Sequence, residues 1–378
     1  MTKLVGFPTV SRDSNLPLVE WVEGYLVSHG ITVHRWHDPD QPHKAALMAH
    51  VGPMVAGGVV LSGHSDVVPV DGQEWSSDPW TVTHRDGRYY GRGTCDMKGF
   101  DALAIWALVE AQRGGVARPL QLALSFDEEI GCTGAPPMIA RMQEVVPKAS
   151  MVIVGEPSMM TAVSGHKGGI GIYTRVVGFE VHSSLPHKGV SAVMEAARLI
   201  GWANEVNAEN AAAAASEMAA LFEPPYTSAH VGTISGGTAE NITAKECIFR
   251  MGFRVVAGED PRDWQARYLD EVARVEAAMQ AVHKDAHIET KEWFQVPALR
   301  PEERGEAEAL VRSITGDNAG HMVSYGTEAG QFQQAGYSAV ICGPGDIAQA
   351  HQPDEYISVE QFEAGHDFMR RLLGRLAG

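Results

Sequence analysis

The sequence predicts an α/β protein of two domains, one inserted into the other, and three observations carry that prediction. Short apolar, β-branched runs such as Gly57-Gly-Val-Val-Leu61 and Met151-Val-Ile-Val-Gly155 recur between helical patterns, as buried strands of an α/β sheet do. Several of these runs break directly into His, Asp or Glu. At 378 residues the chain also exceeds what one hydrophobic core usually spans, and its pattern changes after the glycine-rich Gly165-His-Lys-Gly-Gly-Ile-Gly171.

Composition narrows the function. The net charge of -17, from 30 Lys and Arg against 47 Asp and Glu with no Lys/Arg-rich run, argues against nucleic acid or an anionic membrane surface as partner. No stretch approaches the ~20 apolar residues that span a bilayer. Cys95, Cys132, Cys247 and Cys342 are dispersed without a CxxC pair, so neither a zinc knuckle nor a disulfide framework is expected. Reduced thiols and a cytoplasmic location follow from that pattern.

Leu18, Trp21, Val22, Tyr25 and Leu26 recur at helical spacing, predicting a helix over 15–30 with Asn15 as N-cap and Gly30 as C-cap. Strands follow over 31–35 and 44–50, then the run that ends in Leu61-Ser-Gly-His-Ser-Asp66. A hairpin with strands over 81–84 and 88–90 turns at Asp86-Gly87. It delivers Asp96 to the start of a helix over 100–112, where the carboxylate can cap the helix, ligate a metal, or both. The strand over 120–126 empties into Asp127-Glu-Glu129, three acids that repel one another unless cations or donors compensate them. The strand over 151–155 ends in Glu156-Pro157.

Past residue 165 the pattern reads as a strand over 172–178, helices over 192–206 and 210–221, strands over 230–235 and 247–256, and a helix over 261–283. This βαββα run predicts an inserted α+β unit that faces substrate or dimerises. The chain is expected to return to the first domain near 286, which gives one domain of 1–165 with 286–378 and a second of 166–285. Helices over 302–314 and 359–376 and a strand over 338–342 complete the first.

His64, Asp96, Glu129, Glu156 and His351 each fall at the end of a predicted strand or in the loop after it. Open α/β sheets gather ligands at that edge, where loops carry function and the sheet holds them rigid. Two divalent ions held close together need about two His, carboxylates on each ion and one bridging carboxylate, and these residues supply that set. Asp66 follows His64 at a spacing suited to holding its imidazole ring.

Gly63-His-Ser-Asp66-Val-Val-Pro, Gly91-Arg-Gly-Thr-Cys-Asp96-Met-Lys-Gly, Asp127-Glu-Glu-Ile-Gly131, Gly155-Glu-Pro157 and Ala350-His-Gln-Pro-Asp-Glu355 resemble, in order, the motifs of the co-catalytic zinc amidohydrolases. That family includes acetylornithine deacetylases, succinyl-diaminopimelate desuccinylases, aminoacylases and related carboxypeptidases. The segments starting at Val181, Ser324 and Cys342 resemble the acetylornithine deacetylases most. The resemblance implies a zinc-peptidase-like catalytic domain with a mixed central sheet flanked by helices, and an inserted ferredoxin-like lid through which the chain forms a homodimer. It implies two divalent ions, zinc by expectation, with cobalt and manganese compatible with the same donors.

By the same resemblance Asp96 bridges the ions, His64 pairs with Glu156, His351 pairs with Glu129, and Asp66 orients the His64 ring. Glu128 is left as general base, and His182 as a lid donor to the developing oxyanion across a dimer interface. Asn241 and Arg254 match substrate-holding positions, and backbone N–H groups of Gly343 and Gly345 are candidates for a substrate carboxylate. The implied reaction is hydrolysis of an N-acyl amino acid, N2-acetylornithine to ornithine and acetate in arginine biosynthesis. A desuccinylase, a broader aminoacylase or a dipeptidase would share the scaffold. A catalytically silent binding relative would be expected to lose Glu128 or a ligand, and none is missing.

Overall fold

The computed structural model describes all residues, Met1–Gly378. The chain forms two compact units, Met1–Gly165 with Leu299–Met322 and Thr327–Gly378, and His166–Ala298 with Val323–Gly326.

The larger unit is organised by an eight-stranded mixed sheet. Its order is Thr32–His37, Ala45–Val51, Leu120–Ser125, Val59–His64, Met151–Pro157, Ser338–Gly343, Val163–His166 and His321–Val323. The four strands from Leu120–Ser125 to Ser338–Gly343 run parallel, so their carboxyl ends share one edge. Burial explains why they are nearly continuous apolar runs. Alternate residues such as Val59 and Leu61 or Leu120, Leu122 and Leu124 join one core with helices Leu16–Ser28, Lys98–Gly114, Glu306–Thr315 and Val359–Leu376. The residues between them, Val60, Ser62 and Ala123, are equally buried, since both sheet faces are covered. Each fully buried Leu here contributes on the order of 1.5–3 kcal/mol.

The smaller unit is a four-stranded antiparallel sheet in the order Ser228–Gly236, Glu246–Val255, Gly168–Val177, His287–Val296, with helices Ala192–Ala212 and Pro261–Val282 packed against it. The βαββαβ order and this strand arrangement are ferredoxin-like. Cys247, Phe249, Met251, Phe253 and Val255 alternate into the core, which leaves Arg250 and Arg254 on the opposite face.

Four expectations are corrected. The return to the larger unit comes at Leu299, not near 286, because His287–Val296 pairs along Gly168–Val177 as an edge strand. No separate α-helix forms over 210–221: the helix before it runs on to Ala212, exposed alanines beyond that point have no apolar face to bury, and only a 3-10 turn forms at Ala219–Leu221. Asn15 occupies the N-cap position, but its side chain does not cap the helix. It is fully buried, accepts from Ala45 N–H at 3.0 Å and donates to the Ala45 carbonyl and Ser65 Oγ, tying the helix start to the sheet. Asp96 does not cap Lys98–Gly114 either, since its carboxylate is taken by two imidazoles.

Leu122 is completely buried in the middle of the parallel strands. Leu122→Ala is expected to lower unfolding free energy by about 2–5 kcal/mol, read as a reduced denaturation midpoint with an unchanged slope.

Candidate metal centre

The parallel strand ends bring the predicted site residues together. His64 terminates Val59–His64, Glu156 lies at the end of Met151–Pro157, Glu128 and Glu129 follow Leu120–Ser125, and His351 follows Ser338–Gly343. Asp96 arrives on the loop after the hairpin strands Thr83–Arg85 and Arg88–Tyr90. That hairpin turns through Asp86 at φ 52° and Gly87 at φ 71°, the left-handed pair that suits strand twist.

Asp96 stands between the two imidazoles. Its Oδ1 lies 3.1 Å from His64 Nε2 and its Oδ2 lies 3.2 Å from His351 Nε2. His64 Nε2 is 3.7 Å from Glu156 Oε1, and His351 Nε2 is 2.9 Å from Glu129 Oε2. One ligand atom from each of His64, Glu128 and Glu156 lies within 4.8 Å of the others, and the same holds for His64, Asp96 and Glu129. The two halves differ in burial: the His64 side chain is 1% exposed and that of His351 51%.

The electrostatics of this cluster are severe. Burial, with added repulsion from neighbouring carboxylates, pushes Glu128 up to about 8 and Glu129 up to about 7, and raises Glu156 well above the usual range. Asp96 is held below its ordinary value: burial alone would raise it, but hydrogen bonds from His351 and His64 win. Burial opposes protonation of His64, yet its bond to Asp96 and the charges of Glu128 and Glu156 raise it well above normal. His351 is lifted to about 11, first by Asp96 and then by Glu129. Glu129 Oε1 is buried with no hydrogen-bond partner.

These groups fit divalent cations. His64 Nδ1 donates to the Asp66 carbonyl at 2.9 Å, and a carbonyl can only accept, so Nδ1 carries a proton and Nε2 is the nitrogen available to a metal. A cation on the carboxylates supplies the compensation that their crowding demands, with Glu129 Oε1 unpartnered among them.

Asp66 departs from expectation in how it acts. Its carbonyl is what holds the His64 ring, and its carboxylate lies 3.6 Å from Nδ1. That fully buried carboxylate instead accepts from Ser11 Oγ at 2.6 Å and from the backbone N–H groups of Glu128 and Glu129 at 3.2 and 3.3 Å. It therefore anchors the turn that presents both glutamates. Of the three consecutive acids, Asp127 is turned away, at φ 55°, into a buried ion pair with Lys44 at 2.6 Å.

The glycines of the 343–345 segment are also corrected. Gly343 N–H donates to Ser158 Oγ and Gly345 N–H to Gln361 Oε1, so neither is free for a substrate carboxylate. Gly343 is required by packing: a Cβ there would meet the Gly155 carbonyl oxygen at 1.9 Å.

In the smaller unit, residues 182–183 and 241–242 run side by side. His182 bridges to Ile242, and Ser183 N–H donates to the Asn241 carbonyl at 2.8 Å. His182 is exposed, and its Nδ1 accepts from Ser184 N–H at 3.2 Å, which leaves Nε2–H pointing outward as a donor. Arg254 is exposed on the sheet face away from the helices, beside Gly326.

Several residues of the site escaped sequence reasoning. Lys44, Ser11 and Cys132 are ordinary in their local patterns, yet Lys44 neutralises Asp127, Ser11 binds Asp66, and the Cys132 thiol donates to Glu128 Oε1 at 3.1 Å. Glu328, 1% exposed, accepts from Ser62 and Ser125 on the strands that carry His64 and Glu128, and burial lifts it to about 7. Glu328 falls inside the motif-like segment starting at Ser324, but its contact with these two strands requires the fold to be seen.

Comparisons with known proteins agree with this architecture. The model of peptidase family M20/M25/M40 matches residues 60–375. An acetylornithine deacetylase of Myxococcus xanthus is 33% identical over 390 residues, covering 100% of this chain and 97% of that protein. One from Pasteurella multocida is 30% identical, covering 98% and 96%. Among solved structures, an M20 family metallo-carboxypeptidase of Sulfolobus solfataricus superposes with a TM-score of 0.80 at 16% identity, over 100% of this chain and 98% of that one. A dinuclear metal binding peptidase of the M20 family from Bacillus subtilis gives 0.65 at 12% identity, over 100% and 96%. By the extent of the family match and the near full-length similarity to these relatives, the chain belongs to peptidase family M20/M25/M40.

Proposed function

We propose that this chain is a two-metal amide hydrolase that releases acetate from N2-acetylornithine, serving arginine biosynthesis. The observation that carries the chemistry is Asp96, with one carboxylate oxygen on each imidazole and a glutamate beside each of those. The substrate rests on the acetylornithine deacetylases that match nearly the whole chain at 30–33% identity.

In this proposal His64 and Glu156 would hold one divalent ion and His351 and Glu129 the other, with Asp96 placed to serve both. Zinc suits the nitrogen and oxygen donors, and cobalt or manganese would also fit. When bound, such a pair polarises the amide carbonyl and acidifies water. Glu128 has no ligand role here. It takes the proton of the attacking water and returns it to the leaving amine, a task open to a carboxylate held at the strand ends beside the ligands. Asp66 fixes the turn carrying Glu128, and the Cys132 thiol steadies one of its oxygens.

His182, through Nε2–H, serves as donor to the developing oxyanion, supplied by the partner copy of a homodimer formed through the smaller unit. Arg254, with its forked donors, receives the substrate carboxylate, and Asn241 beside His182 orients the acyl group. No helix is long and apolar enough to cross a membrane. The four free cysteines accord with a reducing cytoplasm as the place of action.

Amine release by zinc-reconstituted protein should be followed on N2-acetylornithine, N-succinyl-diaminopimelate, N-acetylmethionine and a dipeptide. N2-acetylornithine is expected to give the highest kcat/KM, and Glu128→Gln to lower kcat about 100- to 10 000-fold at unchanged metal content. A higher kcat/KM on another member reassigns the substrate, and full activity in E128Q removes the general base. His182→Ala is expected to lower kcat about 100- to 1000-fold with little change in KM, the signature of a group that acts on the transition state. A change confined to KM would contradict that role.

A further inference from the structure

We propose that the buried pair Arg92 and Glu355 is a positioning device that sets the Asp96 loop and the His351 loop in register with each other. The inference rests on the two-metal reading above and concerns how this chain preorganises its ligands.

The pair lies in a continuous run of hydrogen bonds from one ligand's backbone to the other's. Glu355 Oε1 accepts from the backbone N–H groups of Cys95 at 2.9 Å and Asp96 at 3.1 Å. Its Oε2 accepts from Arg92 Nη1 at 2.7 Å. Arg92 Nη2 donates to Gln73 Oε1 at 2.6 Å, and Gln73 Nε2 donates to the His351 carbonyl at 2.9 Å. Arg92 also reaches the carbonyls of Pro69, beyond His64, and Gln352, beside His351. Both charged side chains are 1% exposed. Glu355 itself lies four residues past His351, so the loop that carries one imidazole also carries the acceptor for the Asp96 backbone.

The His351 loop needs such support. His351 and Asp354 both adopt left-handed backbone, at φ 64° and 56°, which L side chains rarely take without surrounding restraint. Asp354 is restrained by Ser76, whose N–H and Oγ donate to it at 2.8 and 3.0 Å. Outside the cluster His351 is held at its carbonyl by Gln73 Nε2, and half of its ring is exposed. A buried ion pair is a weak source of net stability, because desolvation offsets its attraction. Its placement between two ligands gives it another use: it fixes where they stand before a metal arrives.

The chemistry of the two oxygens supplies the test. Two double variants, R92M/E355M and R92M/E355Q, both remove the buried charges, and they differ in whether an oxygen remains to accept from Cys95 and Asp96 N–H. Zinc affinity of the metal-free proteins is measured by chelator competition, alongside their melting temperatures. R92M/E355Q is expected to bind zinc roughly 10- to 100-fold more tightly than R92M/E355M, the usual effect of groups that orient metal ligands, at matching metal-free melting temperatures. Equal affinities in the two variants overturn the proposal. So does an affinity loss in R92M/E355M that is matched by a fall in its metal-free melting temperature, which would make the pair merely structural. Wild-type protein that takes up fewer than two zinc equivalents overturns the two-metal reading itself, whereas two equivalents in the wild type with equal variants overturns only the positioning role.

Discussion

Four carboxylates, those of Asp96, Glu128, Glu129 and Glu156, crowd against two imidazoles at the carboxyl edge of a parallel sheet, and the cost of holding like charges there shapes everything around them. Burial, with repulsion from the neighbouring carboxylates, pushes three of these acids toward neutrality. A sheet can impose such crowding because its parallel strands, covered on both faces, fix the strand tips rigidly. Divalent cations are the natural relief of that crowding.

Around this cluster the chain distributes compensation. Lys44 removes Asp127 from the repulsion by a buried ion pair, so only two of three consecutive acids face the centre. Asp66 spends its carboxylate on the N–H groups of Glu128 and Glu129 while its carbonyl sets the tautomer of His64. Glu328 links the two strands that carry His64 and Glu128 from behind, through Ser62 and Ser125. The result is a layered arrangement in which each ligand is held through its backbone or its second nitrogen, and its free atom is directed at the centre.

Much of this was legible in the sequence because strand tips are local signals. An apolar β-branched run that breaks into His or Glu marks both the strand and its loop, and His64, Glu129 and Glu156 stand out that way; His351, well past its strand, and the ligand roles rest on the resemblance of the motifs. What could not be read is what depends on distant partners. Asn15 has the composition of an N-cap, but the nearby strand offers its amide both a donor and an acceptor. Asp96 likewise prefers two imidazoles to a helix terminus. The segment His287–Val296 is largely polar and exposed through its middle, so its pairing with Gly168–Val177 is what shows that it belongs to the smaller unit. Gly343 and Gly345 looked like anion-binding backbone, yet their N–H groups were already engaged by Ser158 and Gln361.

The central claim is that Asp96 joins two metal ions, each completed by one imidazole and one glutamate. Anomalous diffraction at the zinc edge from crystals of the zinc-reconstituted protein tests it most directly. The expected result is two peaks, one between His64 and Glu156 and one between His351 and Glu129, with an oxygen of Asp96 against each. A single peak, or two peaks with Asp96 bound to only one of them, would contradict it.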